Sequence, residues 1–397
     1  MIMSRYADYR NAFEGIPKPF AFLDLDLLEQ NIRHVLTLSG SKQIRVASKS
    51  IRSREVLRRI LDFDPKFIGV MCYTATEAIY LTENGFQDLL LGYPIWDTEA
   101  ITNIARKVGE GNPITLMVDS IEHVDHIERI AKQAGCKLPL CIDLDLSMDF
   151  MGLHFGVWRS PVRTVTDGIR LAERIASSSH VTLDGIMGYE AQIAGVGDAN
   201  PSTKLRNQLV RYLKRKSIRQ LTAIRAELIH ALHAKGIVPR IVNGGGSGSL
   251  SSTCTEEVVT EVSVGSAFYS PSLFDYYENY RFQPAAGYAI EIVRRPKANI
   301  YTCLGGGYTA SGSIALDKQP KPYLPEGSKL MPMEGAGEVQ TPILYHGSEK
   351  LQHGDPIFMR HSKAGELCER FTVLHILSQG KVIQTMSTYR GEGRCFL

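Results

Sequence analysis

The sequence predicts an α/β protein. A closed TIM-type barrel of eight parallel strands alternating with helices is expected over residues 19–278, after a short segment (1–18) and before a smaller, mostly β domain (279–397). Three observations carry this reading. Short apolar runs alternate with helical patterns about eight times between residues 20 and 270, the signature of a parallel sheet covered by helices. Each unit takes roughly 25 to 35 residues, and the whole region matches the ~250 residues of a (β/α)8 barrel. Beyond about residue 280 the texture changes to strands separated by loops rich in Gly and Pro. A doubly wound open sheet has the same local pattern, and the span favours closure.

In order, Phe20–Asp24 reads as a strand and Leu27–Leu36 as its helix. Ile44–Ala47 leads into Lys49 and the amphipathic stretch Ser53–Leu61. Phe67–Cys72, Leu89–Tyr93, Ile114–Asp119 and Leu138–Leu144 are apolar runs of strand length, with helical patterns over Thr74–Asn84, Thr98–Val108, Ile121–Ala134 and Val162–Ala176. Val181–Tyr189 precedes the long basic stretch Leu205–Ala234, whose recurring apolar residues mark it as a helix with a solvated face. Pro239–Asn243 and Glu257–Val264 complete the set. In the last third, Gly287–Val293, Phe371–Leu377 and Lys381–Ile383 read as strands, with Gln379-Gly380 as a hairpin turn.

Composition excludes several classes. A 44% hydrophobic and 22% charged chain is ordinary for a globular protein, and a net charge of +3 gives no basic field for nucleic acid. Seven Cys, an odd number without a C-x-x-C pair, argue against a disulfide framework and for a reducing compartment. No run approaches the roughly 20 apolar residues of a membrane span, and Met1–Phe13 lacks the apolar core of a signal peptide. A cytoplasmic protein without nucleic-acid or membrane partners is expected.

Two features carry chemistry. Lys49 follows an early strand between small residues, where α/β barrels place their reacting groups, and its amine can act as a nucleophile; taken alone it also reads as a solvated surface lysine. Val242-Asn243-Gly244-Gly245-Gly246-Ser247-Gly248-Ser249 follows a late strand. Its successive glycines let backbone N–H groups converge on an anion, with serine hydroxyls beside them, although a plain tight turn has the same composition. Gly265-Ser266 offers a second donor loop. A lysine and a phosphate cradle on neighbouring strand ends suit pyridoxal phosphate, or a Schiff-base aldolase of sugar phosphates. Tyr189, at a strand end, either lines the site or packs beneath it. Asp143 and Asp145 alternate on one strand face, and His154 is a loop histidine.

Together these residues resemble the fold-type III pyridoxal phosphate enzymes of the D-threonine aldolase and D-serine dehydratase group, which share the alanine racemase fold. The bacterial proteins described as amino acid deaminase/aldolase are the most similar, over nearly the whole chain. Pro19–Asp26 with Asn31 resembles that group's first strand and helix, and Arg45 to Lys49 resembles its R-P-H-x-K motif. Asn243–Ser249 resembles the Gly-rich phosphate loop, Glu261–Tyr269 the following segment, and Tyr189 the tyrosine of Y-x-G-H. The resemblance implies pyridoxal 5'-phosphate held by Lys49, Arg45, Tyr189, Asn243, Gly244, Gly245, Gly246, Ser247, Gly248, Gly265 and Ser266, with Lys49 and Tyr189 catalytic.

The activity it implies is that of a lyase acting through a Lys49 Schiff base on a β-hydroxy amino acid of D configuration, by aldol cleavage or by dehydration and deamination, in a homodimer. An amino acid racemase and a non-catalytic pyridoxal phosphate-binding protein are the alternatives. The chain departs from the group at Ala47 and Ile51, where better-known members carry histidines, and at Ala191-Gln192, in place of Gly-His. Metal-binding members have H-x-C or H-x-D in the β domain. Here Lys363 stands two places after His361, so no metal site is assigned and His361, Glu366 and Cys368 are its weak candidates.

Overall fold

A computed structural model describes residues 4–312, 315–363 and 365–397; residues 1–3, at the start of the expected N-terminal segment, and 313, 314 and 364 lie outside the described residues. Eight parallel strands close into a barrel: Gln43–Ala47, Phe67–Cys72, Leu89–Leu91, Ile114–Val118, Leu138–Asp143, Val181–Gly188, Ile241–Gly244 and Glu261–Val264. The last pairs with the first, Val262 opposite Ile44 and Val264 opposite Val46. The short runs read as strands because a barrel buries both of their faces. Leu90, Met117, Cys141 and Met187, packed with Met71, come from five different strands and fill the interior.

The helices after the first five barrel strands are each fixed by a cap. Ser53, Thr74, Asp97, Ser120 and Thr164 precede the helices Arg54–Leu61, Ala75–Glu83, Thr98–Gly109, Ile121–Ala134 and Val165–Ala176, and each side chain accepts a backbone N–H of the first turn. The basic stretch forms one helix, Lys204–Ala234.

Phe20–Asp24 lies elsewhere than a barrel starting at residue 19 requires. It pairs antiparallel with Ala286–Lys297 and parallel with Val373–Ser378, inside the nine-stranded second sheet. Five buried residues in a row read alike in either sheet, and only partners far along the chain decide the pairing. Phe20 and Phe22 there join Phe13 and Phe358 in an aromatic cluster under the helix Arg5–Ala12. The turn at Gln379 and Gly380 has φ of 49° and 74°, the primed geometry a two-residue hairpin needs.

The second sheet is fastened to the barrel by buried polar contacts. The Asn31 side chain donates to the Phe268 and Gln283 carbonyls at 3.0 and 2.7 Å, and accepts the Gln283 N–H at 2.7 Å. Glu77, fully buried at the start of a barrel helix, accepts the Tyr73 N–H at 2.8 Å and the Tyr389 hydroxyl at 2.9 Å. Burial raises the Glu77 carboxyl from 4.5 to about 7, with these hydrogen bonds working the other way.

A raised acid pKa means that folding favours the protonated form. The stability this group contributes is complete below about pH 4.5 and is lost as the pH rises to about 7. Glu77→Gln, which cannot ionise, is expected to flatten the decline in urea-unfolding stability across that window. An unchanged slope would show that Glu77 does not titrate there.

Candidate active site

The first barrel strand ends at Ala47, and Ser48–Ser50 form a single 3-10 turn that presents Lys49 at the carboxyl end of the barrel. The mostly β C-terminal region holds this turn from behind. Arg52, at the unusual φ of 51°, donates from Nε to the Lys49 carbonyl at 3.0 Å while its guanidinium meets Glu369 at 2.6 Å. Cys368 Sγ donates to the Ile51 carbonyl at 3.3 Å, and the Tyr389 N–H to that of Arg52 at 2.9 Å. Gly365, at φ +80°, packs so closely on the Lys49 carbonyl that any side chain would collide with it. The Lys49 amine is thereby aimed by a rigid backbone.

Lys49 Nζ donates to the Tyr93 hydroxyl at 2.8 Å. Tyr93 stands just beyond the strand Leu89–Leu91, and the Arg159 guanidinium lies over both its ring and that of Tyr189, at 5.4 and 5.5 Å. Arg159 is itself fixed, donating to Asp143 Oδ2 at 2.8 Å and to the Gly92 carbonyl at 3.1 Å. The two phenols are driven apart. Burial alone would raise Tyr93, but Lys49 and Arg159 beside it hold it below its ordinary value, whereas burial pushes Tyr189 up to about 12 despite Arg159. Neighbouring groups with opposed shifts suit acid–base chemistry.

The two donor loops line the same cleft, and the Gly265-Ser266 loop lies next to the Lys49 turn, with Ser266 Oγ 3.4 Å from Ser50 Oγ. Gly245, Gly246, Ser247, Gly265 and Ser266 line it together with Lys49, Tyr93, Arg159 and Tyr189, and Asn243 and Ser263 reach its floor. Among the described residues the N–H groups of Gly246 and Ser247 have no partner, so both can serve an anion. Ser247 Oγ accepts the Ala267 N–H at 2.8 Å, which leaves the hydroxyl proton free to donate. A side-chain carbon on Gly246 would stand 2.9 Å from the Tyr189 ring, so glycine is what opens the cradle. The cleft thus brings together an amine and anion donors.

Other sequence candidates stand outside it. Arg45 is fully buried beneath the floor, held by Glu261 at 2.7 and 2.8 Å and by the Asp88 carbonyl at 2.5 Å; an inward position on the strand puts it one layer down. Its link to the cleft is indirect, through Glu261, which accepts from Asn243 at 2.7 Å. Gly244 backs onto Arg225, Glu190 and Thr253, and Gly248 onto Ala194 and Tyr277.

His361 is a buried ring edge-on to Tyr269, pushed down to about 3 by burial and by Arg360. Glu366 accepts the Ser311 N–H and Cys368 faces Ile51, so the three do not converge. No group of three or more His, Cys, Asp or Glu side chains able to hold a metal occurs among the described residues. His154 bonds Asp149 and stacks on Trp158, and Gln192 donates to Leu146 and Ser217 in the core.

Tyr93 and Arg159 were not legible as site residues. Tyr93 obeys the strand-end rule that singled out Tyr189, and Arg159 sits in a loop with no local signal.

The structure is similar to the D-threonine aldolase of Filomicrobium marinum, with a TM-score of 0.80 at 17% identity, covering 95% of this chain and 96% of that one. It is also similar to the D-threo-3-hydroxyaspartate dehydratase of Delftia sp. HT23, with a TM-score of 0.73 at 15% identity, covering 94% and 98%. At these identities the likeness establishes the fold. In sequence, the 3-hydroxy-D-aspartate aldolase of Paracoccus denitrificans strain Pd 1222 is 23% identical over 252 residues, 63% of this chain and 60% of that protein. The chain therefore spans less than two thirds of that relative's length. The family model for the alanine racemase N-terminal domain matches residues 23–272, from the end of the opening strand through all eight barrel strands, and the chain belongs to that family.

Proposed function

We propose that the protein is a pyridoxal 5'-phosphate-dependent lyase that acts on a β-hydroxy D-amino acid, breaking a bond at Cβ by aldol cleavage or by loss of the hydroxyl. The observation that carries this is the pairing of the Lys49 amine with the unpartnered Gly246 and Ser247 N–H groups in a single cleft. The activities for which the aldolase and dehydratase relatives are named support the choice of lyase over racemase.

The donor set fits the cofactor. The N–H groups of Gly246 and Ser247, the Ser247 hydroxyl and the Gly265-Ser266 loop would hold its phosphate, and Lys49 its aldehyde carbon. Bound there, the cofactor supplies an electron sink for charge developing at the substrate Cα. The chain's own residues supply the rest. Lys49 and Tyr93 form a hydrogen-bonded pair that can pass a proton at the open end of the cleft. Arg159, locked onto Asp143, keeps positive charge over both tyrosine rings and favours a Tyr93 phenolate.

The working unit is proposed to be a cytoplasmic homodimer. Met151, Trp158, Leu205, Leu209 and Tyr212 are exposed apolar side chains around the Met148–Phe155 hairpin and the start of the long helix, where Phe150 meets Tyr212. All seven cysteines are free, as a reducing compartment requires, and no helix among the described residues is long and apolar enough to cross a membrane.

Borohydride treatment of the purified holoprotein is expected to fix the cofactor on the peptide containing Lys49, and Lys49→Ala should take up no covalent cofactor and lose activity. Labelling at any other lysine would end this reading. Tyr93→Phe is expected to lower kcat about 100-fold and to remove one limb of the pH–rate profile above neutrality. A lower rate with an unchanged profile would mean that the phenol only packs. Replacing Met151 and Trp158 with Asp should convert a dimer to monomers in sedimentation analysis; a monomer before substitution, or a dimer after it, would locate no interface there.

A further inference from the structure

We infer that Glu190 is the positioning residue of the anion cradle: its buried carboxylate sets the Gly-rich loop in the one conformation that leaves N–H groups facing the cleft. This rests on the cofactor reading above.

Glu190 follows Tyr189 at the end of a barrel strand and is 1% exposed. One carboxylate oxygen accepts the Gly245 N–H at 2.8 Å and the Ser249 hydroxyl at 3.2 Å; the other accepts the Thr253 hydroxyl at 3.2 Å and an Arg225 N–H. A single side chain thus grips the loop at both ends and the short helix beyond it. Gly245, whose N–H is drawn to Glu190, stands at φ +83°, a left-handed conformation suited to glycine, and leads into two residues whose N–H groups have no partner. Those are the unpartnered groups of Gly246 and Ser247.

A carboxylate directly behind an anion site opposes anion binding unless its charge is answered. Arg225 answers it. This fully buried guanidinium, from the middle of the long basic helix, lies between Glu190 and Glu256 and also donates to the Gly188 carbonyl at 2.9 Å. The arrangement consumes the one loop N–H it uses for shape and keeps the others for the ligand. It also gives the basic helix a role that its solvent face does not suggest, since Arg225 enters the site's support through the helix's buried side.

The test compares two probes that differ only in the phosphate. Equilibrium binding of pyridoxal 5'-phosphate and of pyridoxal is measured on the unaltered protein and on Glu190→Gln, stripped of cofactor. Glutamine preserves the volume but has one acceptor oxygen: kept on Arg225, it turns its amide NH2 against the Gly245 N–H and releases the loop, whereas loss of the charge alone would raise anion affinity. A positioning role in the cradle predicts that affinity for the phosphorylated probe falls by roughly tenfold while affinity for pyridoxal is unchanged.

The double variant Ser249→Ala with Thr253→Val leaves the Glu190 and Arg225 pair intact and removes its hydroxyl ties to the loop. It is expected to show the same selective loss, and it carries the test if Glu190→Gln does not fold. Equal losses for both probes, or no loss for either, would overturn the assignment and leave the cofactor reading standing. Failure of the unaltered protein to bind the phosphorylated probe at all would overturn the cofactor reading itself.

Discussion

The ion pair between Arg45 and Glu261 sits inside the barrel at the seam where its first and last strands meet. Neither group reaches solvent, and taking two charges out of water is costly, so the pair persists only because its hydrogen bonds are complete. Arg45 uses a bidentate contact to Glu261 and donates to the Asp88 carbonyl; Glu261 passes a further contact to Asn243 on the neighbouring strand. Closure at this seam brings the Lys49 turn beside the two donor loops. Without it those stretches, some two hundred residues apart in the chain, would have no common cleft.

The mostly β C-terminal region belongs to the candidate site by what it holds in place. Its contacts run to Ile51, Arg52 and the Lys49 carbonyl, through Cys368, Tyr389, Glu369 and Gly365. These fix the backbone on either side of the lysine while leaving its amine in the open. The strand Phe20–Asp24 is part of the same device: the chain begins in the second sheet, crosses into the barrel, and returns after residue 280. The strand Phe20–Asp24 thus ties the sheet of the C-terminal region to the start of the barrel.

The wall made by the glycine loop follows a similar principle with other groups. There a buried carboxylate and guanidinium shape a glycine loop, and the loop's freedom from side chains opens the cradle. Both walls spend charged residues on backbone geometry and keep small residues at the surface of the cleft. Tyr93, Arg159 and Tyr189 are the exceptions, and they stand between the two walls, where proton transfer would take place.

The sequence by itself determined the alternation of barrel strands and helices and the hairpin at Gln379-Gly380, and it singled out the lysine and the glycine loop as candidates. Each depends on side-chain period or on the conformational freedom of glycine, both of which act over a few residues. Only the tertiary structure decided that Phe20–Asp24 pairs in the second sheet, that Arg45 serves the barrel floor, that Gly244 and Gly248 face inward, and that Tyr93 and Arg159 join Lys49. Those outcomes depend on which strand lies beside which and on how deep along a strand a side chain points. A buried arginine and an exposed one have the same local sequence signature, and the contacts that separate Arg45 and Arg225 from their solvated neighbours form only when distant segments meet.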